Sequence, residues 1–459
     1  MPEKYHIAVA PAPPRHRPIG KLGIVDWRED CMGCHNCVKR SCVYQLFRDE
    51  ADTLRDQVGY LDYIYQCRGC LSCIQNCTKN ILTRVVNPEY KRLGDDYYTG
   101  EIILSTWYQA ETGGIPVSGA GYGGPFSGQG FDAMWTDMSE IVRPTRDGIH
   151  GREYINTSVD IGRKLPHLSF VDGALDVTPP PLTEVPLPII FEIPPARYHR
   201  GAVLPAMRRA AEEIGTFFLS DAPEVHAGSP RVVPLLDDGA SPEAHASAPM
   251  VMVRDTEAGL RLRSALKTAN PRRIVAVRLN VGPGTRDRFV ALAGEDVEVI
   301  HLVFDAHGRE TDVAEPRHMR DVLREIHGAL TKEGVRDLVT LVASGGIAQA
   351  EHVAKAIICG ADLVAIDLPL MVALECRLCG ECDGDRPCQI QLEAMDEDLG
   401  ARRMVNLMGA WRNQLLELLG AMGIREARRL RGETGRAMFF EDLERDTFGR
   451  LFGGNAVRQ

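Results

Sequence analysis

From Leu187 to Gly423, short apolar runs alternate with amphipathic stretches. Leu187–Ile193 reads as a strand, Ala202–Ile214 has helical spacing, and Thr216–Leu219 reads as a second strand. Pro249–Arg254 is short and apolar, Gly259–Ala269 is helical, and Ile274–Leu279 and Val299–Phe304 are β-branched or apolar runs of strand length. His318–Leu330 is an amphipathic helix, Leu338–Ala343 a strand, Ala348–Ile358 a helix and Leu363–Ile366 a strand. Strands separated by helix-length segments imply a parallel sheet, because each parallel return needs a crossover. The fold class is therefore α/β, and the span 185–400 suits a TIM-type (β/α)8 barrel. Ala401–Gly423 predicts a long helix that stops at its glycine and packs outside the barrel.

The upstream chain carries a different pattern. Thr178–Pro195 is proline-rich and reads as a linker into the barrel, and 101–184 reads as a Gly/Pro-rich connecting segment. Within it, Gly119-x-Gly121-x-x-Gly124 matches a dinucleotide fingerprint, but Pro125 and further glycines bar the helix that the motif requires. A tight loop is expected instead. Residues 1–100 form a separate head, and 401–459 a helical extension.

Composition narrows the function. The chain has 459 residues, 44% of them hydrophobic, and a formal charge of −10, which argues against general nucleic-acid binding. No apolar run approaches a membrane span, and no apolar stretch after Met1-Pro2-Glu3-Lys4 resembles a signal peptide. A cytoplasmic address without direct membrane insertion is the expectation.

Twelve of the thirteen cysteines fall in three groups. Cys31, Cys34, Cys37 and Cys42 form the first, and Cys67, Cys70, Cys73 and Cys77 the second. Each begins C-x2-C-x2-C, which lets one tight loop reach three irons of a cubane while a later thiolate closes the fourth corner. In two-cluster ferredoxins that fourth cysteine crosses over, pairing Cys77 with the first triplet and Cys42 with the second. Two 4Fe–4S clusters in a ferredoxin-like head are expected. Val43 and Thr78 stand where a proline usually follows, and the alternative is zinc, which favours cysteine pairs. The third group is Cys376, Cys379, Cys382 and Cys388. With Cys379 it is a four-cysteine loop; without it, a C-x5-C-x5-C site for three irons. A zinc ribbon is the alternative. Cys359 stands apart and reads as core.

Ser344-Gly345-Gly346 follows a strand and opens a helix, and Gly360-Ala361 precedes the last strand, which ends at Asp367. Barrels commonly bind phosphate with the loops after strands seven and eight, where backbone N–H groups and a helix N-terminus are free. These six residues are the candidate phosphate or flavin site.

With these landmarks in place, the C-terminal 270 residues resemble the flavin-binding synthase domain of glutamate synthase. The resemblance rests on AMRRAAEEIG (206–215), Val277-Arg278-Leu279, HGALTKEGVRDLVTLVASGGI (327–347), the cysteines from Cys376, and Val405-Asn406 through Gly423. A cluster-bearing head before such a barrel is similar to archaeal-type members. The resemblance implies FMN in the barrel and a 3Fe–4S cluster on Cys376, Cys382 and Cys388. It also implies a lysine where this chain has Arg278, here the candidate catalytic residue, expected to stabilise charge on the flavin. Asp305-Ala306-His307-Gly308-Arg309-Glu310 replaces the family's glycine-rich loop, and Ser220-Asp221-Ala222-Pro223 replaces a loop used around 2-oxoglutarate. His301, His307 and His318 flank the altered region as candidate acids or bases.

Two leading functions follow, and a third beside them. One is an oxidoreductase of the glutamate synthase type, acting on CH–NH2 chemistry, in which clusters feed a flavin that reduces an imine. The other is a flavin and iron–sulfur electron-transfer subunit of a larger complex, with a degenerate 2-oxoglutarate site. A relative that condenses methylamine with glutamate is a third reading. Redox partner subunits, NAD(P)H- or ferredoxin-linked, and a separate glutaminase subunit are the expected partners.

Overall fold

The structure is a computed structural model that describes residues 6–16, 19–24, 34, 36, 38–43, 70–82, 84–115, 130–136, 155–226, 229–243, 245–383 and 388–452. The glycine string Gly119–Gly124 lies outside the described residues, as do Cys31, Cys37 and Cys67.

Eight parallel strands build the core: β1 Ile189–Phe191, β2 Phe218–Ser220, β3 Val232–Pro234, β4 Met250–Arg254, β5 Ile274–Asn280, β6 Val299–Val303, β7 Thr340–Ser344 and β8 Leu363–Ile366. They hydrogen-bond in the order β3-β2-β1-β8-β7-β6-β5-β4. A bridge from Leu235 to Met252 and the bond from Leu236 N to Met252 O (2.8 Å) join the two ends, so the barrel is nearly closed. The sequence pattern misses β3, which is three residues long and ends in proline, too short for any periodicity to register.

Helices α1 Val203–Ile214, α2 Pro223–His226, α3 Glu257–Ala269, α4 Thr285–Gly294, α5 Met319–Lys332 and α6 Ala350–Cys359 follow the strands on the outside. After β8 come the short α7, Leu368–Ala373, and the long α8, Glu397–Met422. Asp396 caps α8 by accepting from Leu399 N, and Gly423 ends it in the left-handed region. α8 packs against both α1 and α6, so it occupies the place of the eighth barrel helix. Gly400 permits the contact, since a Cβ there would lie 3.1 Å from Ala206 Cβ.

Alternation along the strands sets the interior. Ile190, Leu219, Val233, Met250, Ile274, Ala276, Val299, Val342, Leu363 and Ala365 fill the barrel with one apolar cluster. Residues 155–191 do not read in the structure as a bare linker. Val159–Gly162 and Leu182–Val185 form an antiparallel pair, and Val159, Ile161 and Val185 join the interior cluster. Gly162 exchanges hydrogen bonds with the Thr340 hydroxyl at the start of β7, so this hairpin plugs the barrel floor. The prolines around it suggest a linker because both strands are only four residues long.

Candidate redox and binding site

Following the inward phase of each strand one step past the apolar layer gives Glu192 just after β1, Arg278 on β5, His301 on β6, Ser344 on β7 and Asp367 after β8. The barrel mouth is therefore polar while its body is apolar. Arg278 Nη1 lies 2.8 Å from Glu192 Oε1, and His301 Nε2 lies 3.1 Å from Glu192 Oε2 and 2.9 Å from Ser344 Oγ. His301 Nδ1 faces the Arg278 guanidinium at 3.5 Å. A guanidinium only donates, so Nδ1 carries the lone pair and Nε2 the proton.

The electrostatics follow from burial and pairing. Burial pushes the Glu192 carboxyl up, but Arg278 and His301 outweigh it and hold it well below the usual carboxylate range. Burial lowers His301, so its ring is neutral despite Glu192. Asp367 is pushed up to about 6, first by burial and then by the nearby Glu192 charge.

Ser344, Gly345, Gly346 and Asp367 thus share the C-terminal end of the barrel with Arg278. Gly360 and Ala361 do not. Gly360 caps the far end of α6, a helix of 10 residues and hence about 15 Å long, at the floor of the barrel. There Gly360 O accepts from Arg336 Nη2 at 2.6 Å, and a Cβ on Gly360 would lie 2.5 Å from His327 Cβ. Asp362 beside it pairs with Arg336 and Arg431. The expectation that Gly360 and Ala361 bind cofactor is corrected: they make the turn from α6 into β8.

At the mouth, Gly345 and Gly346 adopt φ of 93° and 65°, and a Cβ on either would strike the 304–308 loop. Among the described residues the N–H groups of Gly345, Gly346 and Ile347 have no hydrogen-bond acceptor. They precede α6, so three donors and a helix N-terminus converge. The Tyr97 hydroxyl donates to Gly346 O at 2.5 Å and its ring stacks on His307, 5.2 Å between centroids. His307 pairs with Asp95, and His318 caps α5 by accepting from Arg320 N. Burial, with Arg320 and Arg309 nearby, depresses His318 to about 3. Of the three candidate histidines only His301 lies in the mouth network.

The third cysteine group leaves α7 at the rim. Cys376, Cys379, Cys382 and Cys388 line one partly open cavity, with Tyr198 from the loop after β1. Cys376 Sγ and Tyr198 Oη lie 3.9 Å apart, and burial raises the Cys376 thiol to about 12. Glu375 anchors the loop: it accepts from Arg15 N at 2.7 Å and pairs with the Arg15 guanidinium. On the other side Gly94 N donates to Arg377 O, and Leu378 packs with Ile19 and Leu93. Cys359 is buried beside Met134, as expected for a core residue.

In the described part of the head, Leu22–Ile24 pairs antiparallel with Arg84–Val86, so the chain before the first motif lies beside the chain after the second. Cys34 Sγ is 3.7 Å from Thr78 Oγ1, the neighbour of Cys77. Burial raises the Cys77 thiol, but the backbone amides of Ile81, Lys79, Leu82 and Asn80 outweigh it and lower the thiol. Cys42, Cys70 and Cys73 are half-buried.

Residues 241–425 match the family model described as the conserved region in glutamate synthase. Over that stretch the barrel is similar to the glutamate synthase family. Relatives include the archaeal-type glutamate synthase (NADPH) of Dehalococcoides mccartyi, 26% identical over 89% of this chain and 93% of that one. The archaeal glutamate synthase (NADPH) of Archaeoglobus fulgidus is 25% identical over 93% and 96%. That of Methanocaldococcus jannaschii is 32% identical over 45% and 42%. Among solved structures, a mandelate oxidase aligns at TM-score 0.37 and 17% identity, over 64% of this chain and 90% of that one, too loosely to carry an argument. Within the barrel, Glu192 and Tyr198 are functional-site residues that no sequence motif singles out. The inward phase set by Ile190 was the available signal for Glu192; nothing local marks Tyr198. Among the described residues no helix is long and apolar enough to cross a membrane.

Proposed function

We propose that the chain is an FMN and iron–sulfur oxidoreductase of the glutamate synthase type. In this reading, electrons pass from two 4Fe–4S clusters in a ferredoxin-like head, through a third cluster at the barrel rim, to the barrel mouth. The observation that carries it is the position of the four-cysteine cavity. One side of its loop contacts Leu93 and Gly94, which follow the second cysteine motif. Its other side contacts Tyr198, on the loop that follows Glu192. The antiparallel pairing of Leu22–Ile24 with Arg84–Val86 and the approach of Cys34 to Thr78 support the crossed ligation of the head.

The mouth fits the phosphate end of FMN, with the donors of Gly345, Gly346 and Ile347 free to receive an anion. Bound there, FMN supplies exchange between one-electron and two-electron chemistry. The chain's own residues set the surroundings. Arg278 holds a fixed positive charge at the mouth, oriented by Glu192. His301 is neutral and donates from Nε2. Asp367 carries or releases a proton near pH 6. The relatives' name makes glutamate the expected product and NADPH their electron source. Here the donor would reach the head through a redox partner, NAD(P)H- or ferredoxin-linked. Ammonia would come from solution or a separate glutaminase subunit, in the cytoplasm.

The test is anaerobic purification, a count of FMN, iron and sulfide, and an assay with 2-oxoglutarate, ammonia and a low-potential reductant. Glutamate formed with reducible flavin bound is the expected result. Bound, reducible flavin without turnover supports the second reading, an electron-transfer subunit of a larger complex. The observation favouring that reading is the Glu192–Arg278 pair, which engages the mouth's cation internally and so opposes binding of a 2-oxo acid carboxylate.

A further inference from the structure

We propose that Cys379 is a cluster ligand, so that the third site of this chain takes a four-iron, four-sulfur cubane rather than the three-iron cluster that the family resemblance implies. The inference rests on the proposed function only in requiring an iron–sulfur cluster at this loop.

A three-thiolate site on Cys376, Cys382 and Cys388 would leave the Cys379 side chain free to point elsewhere. Instead all four cysteines line the same cavity. The backbone explains how. Leu378 and Gly380, on either side of Cys379, both adopt left-handed conformations, with φ of 47° and 71°. A leucine avoids that region unless its surroundings impose it. Here they do: the Leu378 side chain packs against Ile19, Leu93 and Val372 and against the main core, outside the lining of the cysteine cavity. The two reversals let Leu378 face the head while Cys376, Cys379 and Cys382 all face the cavity. Glu375, at φ 71°, is held by Arg15 and fixes where the loop begins. The loop is thus pinned on both flanks in a shape that delivers three thiols from C-x2-C-x2-C, with Cys388 returning as the fourth. Four thiolates on an oxidised cubane leave a net charge of about −2, and Arg197 and Arg377 line the same cavity as counter-charges.

The chain is purified anaerobically, and the wild type and Cys379→Ala are compared by iron, sulfide and zinc analysis and by electron paramagnetic resonance of the oxidised state. An oxidised three-iron cluster is paramagnetic, whereas an oxidised low-potential cubane is silent. The wild type is expected to be silent; Cys379→Ala is expected to lose one iron per chain and gain a three-iron signal near one spin per chain. Retained visible absorbance from the head clusters would show that the variant folds. A near-stoichiometric three-iron signal in the wild type overturns the inference, as does a variant with unchanged iron content and spectrum. One zinc per chain, lost in Cys379→Ala, overturns it as well. Absence of iron from the whole chain would instead overturn the proposed function, so the two failures are distinguishable.

Discussion

The Arg278 guanidinium lies 2.8 Å from the Glu192 carboxylate, joining β5 to β1 across the barrel mouth. Both side chains are mostly withdrawn from water, Glu192 more so than Arg278. Breaking a buried pair by neutralising one partner strands the other charge, at a cost of about 3–5 kcal/mol. Glu192→Gln is therefore expected to be destabilised by at most about that much in urea unfolding, because the partial exposure of Arg278 lets water solvate the stranded charge. Replacing the pair together, Glu192→Leu with Arg278→Met, is expected to cost less than Glu192→Gln alone. A single-variant loss below about 1 kcal/mol would place the pair among weak surface contacts instead.

Asp367 predicts a pH dependence of known sign. Its folded value is about 6, against about 3.9 for an unperturbed aspartate. Between those values the folded chain binds the extra proton, so this group's contribution is full below about pH 4 and is lost as pH rises through 6. Asp367→Asn removes the penalty of a buried charge. Its melting temperature is expected to exceed that of the wild type at pH 8, with the advantage shrinking at pH 5. No side-chain cap is lost, since Asp367 makes none to α7. An equal gain at both pH values would rule out its titration as the cause.

The barrel was legible because alternation and crossover length are local signals. Leu363–Ile366 is read from sequence with the bounds it has in the structure, and most other strands shift by one or two residues. What sequence could not convey was which end of the barrel a loop occupies. Gly345 and Gly360 both sit beside strands, yet α6 runs between them from mouth to floor. Composition alone makes both look like phosphate loops. The Glu192–Arg278 contact was hidden for the same reason: it spans 86 positions and depends on strand order around a ring.

That distinction between the two ends is open to experiment. Gly346→Ala and Gly360→Ala both put a Cβ on a backbone with positive φ, 65° and 128°, and each is expected to cost more than about 1 kcal/mol. Only Gly346→Ala should also lower bound flavin, because its Cβ would push the Gly308 backbone, 2.4 Å away, and distort the mouth. FMN per folded chain after gel filtration checks this. Flavin loss in a folded Gly360→Ala variant would contradict the placement of that glycine at the floor.

Tyr198 offers the most direct reading of the link between the third site and the mouth. Its ring lies under the Arg197 guanidinium, 5.0 Å from the centroid, and its hydroxyl faces Cys376 Sγ at 3.9 Å. Burial raises the Tyr198 hydroxyl above its ordinary value, so it stays protonated at any working pH. Once Cys376 is a thiolate ligand it has no proton to give, and the hydroxyl becomes the only donor of the pair. Hydrogen bonds to cluster sulfur stabilise the reduced, more negative state and raise the potential. Tyr198→Phe should therefore shift the third site to a more negative potential by tens of millivolts, leave iron content unchanged, and slow electron delivery to the flavin. Redox titration followed by electron paramagnetic resonance measures the first effect and rapid-mixing reduction of the flavin the second. An unchanged potential would mean that the hydroxyl does not bond to the sulfur, and a changed potential with unchanged flavin reduction would take the third site off the electron path.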